Sequence, residues 1–154
     1  MAMSKELLPQ ILLFFATKED EIFRQNLIIW HAVCKTPEFN SLYLEEHKLP
    51  ENIFEAYLPR IVMEFEKAHK AEDSALLINC CASITAFTGA FPAYLTKFKA
   101  LIPSLIFITA NKTELLRKNA AVLMARLSNN EECLAEIRAL HGTEVLLSLK
   151  DVLT

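Results

Sequence analysis

Three times this chain sets a proline between an aliphatic residue and a later aliphatic pair. The copies are Leu8-Pro9-Gln10-Ile11-Leu12, Leu58-Pro59-Arg60-Ile61-Val62 and Ile102-Pro103-Ser104-Leu105-Ile106. A fourth stretch, Gly142-Thr143-Glu144-Val145-Leu146, keeps the frame and loses the proline. Successive copies begin 50, 44 and 40 residues apart. A period of that length belongs to helical repeat arrays, in which each unit buries its apolar face by stacking on the next. Proline is suited to the first turn of a helix, where its missing N–H costs nothing and its fixed φ is already helical. Each copy therefore marks a helix start.

Composition supports helices and excludes most alternatives. Gly89 and Gly142 are the only glycines, and no Asn-Gly or Asp-Gly pair occurs to turn a hairpin. Hydrophobic residues make up 53% of the 154 positions, enough to fill one sizeable core. The expected class is all-α. Helical periodicity and capping residues place ten helices at roughly 5–16, 19–34, 38–47, 58–69, 73–88, 91–100, 102–111, 113–127, 130–140 and 143–153. Asp20, Asp73 and Thr113 stand where N-caps or first-turn acids belong, Asn130 opens the ninth helix, and Gly142 is expected to stop it. Extra length between the first two prolines falls between Leu42 and Asn52, where Lys48-Leu49-Pro50-Glu51 reads as a loop insertion.

The longer helices share a register. Asn26-Leu27-Ile28-Ile29, Asn79-Cys80-Cys81-Ala82 and Asn119-Ala120-Ala121-Val122 align, and Cys34, Phe87 and Leu127 match eight residues later. Leu95, Phe98, Lys99, Ala100 and Leu101 recur as Leu134, Ile137, Arg138, Ala139 and Leu140. The small residues Cys80, Cys81, Ala82, Ala120 and Ala121 fall where stacked helices need room.

With a short helix, a proline-led helix and a longer third helix per unit, the chain resembles an armadillo repeat array, with HEAT repeats as a near neighbour. The match is best from Thr113 to Leu153, and Ile102-Pro103-Ser104-Leu105 resembles the family's second-helix start. The resemblance implies a single domain over 1–154, a right-handed superhelix of about three repeats, and protein binding along a concave groove of third helices. In importin-α and similar proteins a Trp and an Asn four residues apart hold an extended peptide there. The corresponding pairs here are Ile29 and Val33, Ala82 and Ala86, and Val122 and Arg126, none of them Trp–Asn. Trp30 sits one position off this register, as a core residue or a lone surface anchor.

Charge adds a partner class. Residues 74–130 carry one acid, Glu114, against six bases: Lys97, Lys99, Lys112, Arg117, Lys118 and Arg126. A basic strip of this kind suits an acidic protein or peptide segment. Arg117, Lys118 and Arg126 are the expected polar contacts and Trp30 a weaker one. The net charge of −3 and the lack of aromatic interleaving argue against nucleic acid.

Chemistry is not expected. No phosphate loop, nucleophile elbow or zinc-binding helix motif occurs. His31 and Cys34 have ligand spacing, yet two side chains on one turn do not make a metal site. No cofactor is expected. Cys34, Cys80, Cys81 and Cys133 form no C-x-x-C and read as buried thiols of a reducing compartment, cytoplasm or nucleus. Residues 74–96 carry no charge, but Asn79, Gly89 and Pro92 interrupt them, so a buried helix and turn are expected rather than a membrane span.

The expected function is a non-catalytic interaction scaffold. A loop-binding HEAT-like module of a cytoskeletal or trafficking assembly and a membrane-associated helical protein are the alternatives. The first helix (Ile11 to Phe15) and the last (Val145 to Leu147) are both strongly apolar. The terminal faces are therefore expected to be covered, by self-association into a homo-oligomer or by further repeats of a longer protein.

Overall fold

The computed structural model describes residues 7–36, 54–112 and 114–149, and among these there is no strand. The helices are α1 (Leu7–Leu13, continued by a 3₁₀ turn Phe14–Ala16), α2 (Asp20–Cys34), α3 (Tyr57–Lys70) and α4 (Ser74–Ala90). A 3₁₀ run, Pro92–Leu101, leads into α5 (Ile102–Asn111), followed by α6 (Glu114–Leu127), α7 (Glu131–Ala139) and α8 (Gly142–Ser148). The fold is all-helical. The expected helix over 38–47, the insertion around Leu49 and the cap at Thr113 lie outside the described residues. The segment expected as a helix over 91–100 is helical but adopts the tighter 3₁₀ form, with Pro92 in its first turn. Ten residues is long for that geometry.

Two layers result. The long helices α2, α4 and α6 lie side by side, with α4 packed extensively on both of the others. The proline-led helices form the second layer: α3 packs on α4, α5 on α6, and α8 on α5. Because α4 is sandwiched between α2 and α6 and also backed by α3, it can hold no charge on three of its sides. Cys80, Cys81, Ile84 and Phe87 are fully buried there, and the cysteines are the small residues that let the helices close up.

The residues after the second and third helix-start prolines, Arg60 and Ser104, tie their units to the one before. Arg60 of α3 donates through Nη1 to the backbone oxygens of Phe15 and Thr17, carbonyls that the end of the first helical stretch leaves without helical partners. Its Nε donates to Glu64 at 3.0 Å, and its guanidinium lies 4.7 Å from the centre of the Phe23 ring. Ser104, the equivalent residue of α5, donates to Glu66 of α3 at 2.9 Å. Buried Asn26 adds a third tie, donating to the Ile11 carbonyl at 2.8 Å.

An aromatic cluster fills the core at the α2 end. Phe54 meets Phe87 and Phe91 with ring centres 5.0 and 4.9 Å apart, mostly edge to face, and Tyr57 meets Phe15 at 4.9 Å. Such pairs add about 1 kcal/mol each beyond the area they bury. The Tyr57 hydroxyl lies among these rings beside Ser83 and the Trp30 indole, and burial pushes its ionisation far above the ordinary value.

Two helix starts are as expected. The Asp73 carboxylate accepts from the Leu76 amide at 3.1 Å, and the Asn130 amide oxygen accepts from Cys133 at 3.0 Å. Gly142 differs from expectation. The left-handed residue after α7 is His141 (φ 61), and Gly142 opens α8 instead. The glycine is there for space: a Cβ on it would lie 2.8 Å from Ile137 Cγ2 and 3.0 Å from Ile106 Cδ1.

One helical run, Pro92–Asn111, is long and apolar enough by length and composition to cross a membrane. Its Leu95, Phe98, Leu101, Ile102, Leu105 and Ile108 are buried against the other helices, whereas Phe107 is 49% exposed.

Candidate binding groove

Where α2, α4 and α6 lie side by side, they leave a cavity of about 570 Å³ open along their shared face. Its floor is a stripe of α4: half-buried Ala82, Thr85 and Ala86, and exposed Gly89. One wall comes from α2, with His31, Cys34 and Lys35. The other comes from α6, with Leu115, Lys118, Asn119, Val122 and Arg126. The middle helix is recessed because its outward side chains are no longer than threonine, while both neighbours carry long ones.

Of the described residues that line this groove, three are cations and none is a carboxylate. Among the described residues, Lys35, Lys118 and Arg126 make no ion pair. Arg126 is half-buried, and its guanidinium rests directly on Gly89, where a Cβ would come within 2.8 Å of Nη1. A glycine at this point of α4 makes a bed for the planar group. Burial holds the His31 imidazole below its ordinary value of 6.5, the Ala82 backbone pulls it back upward, and the Lys35 charge adds slightly to the lowering. His31 is therefore neutral at pH 7 and leaves the positive charge to the other three residues.

The expected contact residues separate. Lys118 and Arg126 meet in the groove. Arg117 does not: its Nε donates to the Lys112 backbone oxygen at 2.7 Å, so it fastens the α5–α6 junction. Lys112 pairs with Glu72 at 3.3 Å. The basic strip seen in the sequence is thus dispersed over several faces. Trp30 is fully buried, with its ring centre 5.7 Å from Tyr57 and 6.1 Å from Phe87. It is a core residue and offers no surface to a partner, which removes the anchor reading.

Lys35 is absent from the basic strip read in the sequence, because it lies outside residues 74–130. On α4 and α6 the register pairs Ala82–Ala86 and Val122–Arg126 do line the groove. On α2 the lining residues are His31, Cys34 and Lys35, whereas Val33 is buried in the core. The three aligned asparagines have separate roles: Asn26 is buried on the Ile11 carbonyl, Asn79 is exposed, and Asn119 donates back to Leu115 of its own helix.

His31 and Cys34 share the α2 wall, so nucleophilic chemistry has to be weighed. Burial pushes the Cys34 thiol far above its ordinary value, the opposite of what a thiolate nucleophile needs. Burial likewise drives Cys80 up and holds Cys81 at about 12. No cluster of three His, Cys, Asp or Glu side chains suited to a metal occurs among the described residues.

No protein-family model matches the chain, and neither a curated protein nor a solved structure is significantly similar to it.

Proposed function

We propose that the chain is a non-catalytic protein-interaction module, built as a short armadillo-like right-handed superhelix, whose α2–α4–α6 groove receives an acidic segment of a partner protein. The observation that carries this reading is the groove itself: a 570 Å³ channel along three stacked helices, bordered by Lys35, Lys118 and Arg126 and, among the described residues, by no acid. Its volume lies within the range of about 300–1,000 Å³ typical of ligand sites. An unpaired, half-buried arginine gains most from a carboxylate that supplies the missing acceptors. The raised Cys34 thiol and the neutral His31 support binding rather than catalysis.

Site-specific photo-crosslinking tests this. A benzophenone side chain at Ala86, on the groove floor, should capture an acidic protein in native extract, and the adduct should vanish with K118E/R126E. The same probe at exposed Ala110 on α5 should not capture it. Adducts formed only from Ala110, or adducts at Ala86 indifferent to charge reversal, would overturn the reading.

Self-association is a second proposal, supported by Leu13 and Phe14, which are exposed at the α1 end. Light scattering after size exclusion should then show a dimer or larger species that L13E/F14E converts to monomer. A monomer at all concentrations would remove it.

A further inference from the structure

We infer that the occupant of the groove is an α-helix of two to three turns, amphipathic and flanked by acids, rather than an extended peptide. The inference rests on the proposed groove function and specifies the shape of the partner.

Backbone hydrogen bonding decides between the two shapes. An extended segment brings an unpaired N–H and C=O at every residue, and each one buried without a partner costs free energy. The floor offers a single polar side chain, the Thr85 hydroxyl, and its proton is already given to the Cys81 carbonyl at 2.8 Å. Ala82, Ala86 and Gly89 belong to α4, whose own backbone is engaged in helical bonds, and their side chains are a methyl or less. The one side-chain amide in the lining, Asn119, already donates to the Leu115 carbonyl at 2.8 Å. A helix satisfies its backbone internally and makes no such demand.

The shape of the groove agrees. Packed helices lie about 8–10 Å apart, so a helix resting on α4 at that distance would stand roughly 11–14 Å from the axes of α2 and α6. A helix with its side chains is about 10–12 Å across and can sit above the recessed middle helix between those walls. Floor positions 82, 86 and 89 follow the four-and-three spacing along which helix ridges interlock. From 82 to 89 the floor runs seven residues, about 10 Å at 1.5 Å per residue, which is two turns of a partner helix.

The side chains set the partner's pattern. Leu115 and Val122, seven apart on α6, are 56% and 46% exposed, which asks for apolar residues at i, i+3 or i+4, and i+7 of the incoming helix. Lys35 stands on one wall, Lys118 and Arg126 on the other, so acids should flank that stripe on both sides.

The test is a pair of display selections against the full chain, using libraries of equal size and equal acidic content. One presents 14-residue segments on a helical scaffold. The other carries proline at every fourth position and cannot form a helix. The expected result is enrichment from the helical library alone, with the apolar spacing above and at least a tenfold loss of affinity for K118E/R126E. Enrichment from the proline library alone, with the same sensitivity to charge reversal, would overturn the helix and leave the groove reading standing. Equal enrichment from both would also overturn it. Binders from neither library, or binders indifferent to K118E/R126E, would overturn both.

Discussion

Replacing Gly89 by alanine should separate the groove's function from the fold's stability. The new Cβ would stand 2.8 Å from Arg126 Nη1 and 3.5 Å from its Cζ, and no backbone atom is among its closest neighbours. Arg126 has to retreat by about half an ångström or more to restore ordinary contact, and a flexible side-chain end can rotate away at little cost. Against that stands helix propensity: alanine exceeds glycine by about 1 kcal/mol in a helix interior, less in the last turn where Gly89 lies. The net change in stability should fall between zero and about 1 kcal/mol in favour of the variant, a rise of at most about 4 °C in Tm for a chain of this size. Binding should move the other way, because the displaced guanidinium no longer presents its fork to an acceptor. Thermal unfolding followed by circular dichroism reads the first quantity, and titration with an acidic helical ligand reads the second. Gly142→Ala is the contrast. There the Cβ meets the branched Ile137 and Ile106 inside the packing, so a loss of about 1–3 kcal/mol is expected. The reasoning fails if Gly89→Ala unfolds more easily by 1 kcal/mol or more, or keeps full affinity.

Arg60→Ala should destabilise by about 3–5 kcal/mol, since it strands Glu64, whose side chain is only 6% exposed. The double variant R60M/E64L should recover much of that loss in a urea titration, whereas additive losses would show that the pair is not coupled. Asp73→Ala should cost about 1–2 kcal/mol, through the lost Leu76 cap and a partly exposed ion pair with Arg24 at 2.8 Å. Asp73→Asn, which keeps a capping oxygen, should cost less than half as much in the same titration. Acidification should weaken the fold in two stages. With the His31 value held below 6.5, the stability it reflects is complete above that pH and falls as the unfolded chain takes up its proton first. The Arg24 hydrogen bond, then the Leu76 amide, hold Asp73 below its ordinary 3.8, so its contribution is present above that value and is lost as pH falls through the folded value. His31→Gln should flatten the first stage alone when urea midpoints are measured from pH 8 to 3.

How much of this was legible in the sequence follows from the range of the forces involved. Helix order, the Asp73 and Asn130 caps and the proline-led starts are local, and they read directly from spacing. The role of the residue after the proline was hidden, because Gln10, Arg60 and Ser104 share no chemistry; what Arg60 and Ser104 have in common is reaching back to the preceding unit. The basic strip misled because charge was counted along the chain. Stacking takes Lys35 from one unit and Arg126 from another and sets them around the same channel, while Arg117 turns to the Lys112 carbonyl. Cys80 and Ala82 were read alike as room for stacking. One faces the buried layer and the other the groove, a difference of two positions on a helix whose groove-facing residues are small as well. Gly142 reads as a stop signal in the sequence, whereas the contacts that require it come from Ile137 and from Ile106, 36 residues away. Trp30 could be settled only by its neighbours Phe15, Tyr57 and Phe87.

The central claim is that the channel between α2 and α6 is the binding surface. An amide chemical-shift titration of the full chain with an acidic amphipathic helical peptide tests it most directly. Shifts should centre on Ala82, Ala86, Gly89, Lys118 and Val122 and diminish as salt is raised. Shifts centred instead on Met63 and Phe107, two exposed apolar residues of the proline-led layer, would contradict the account.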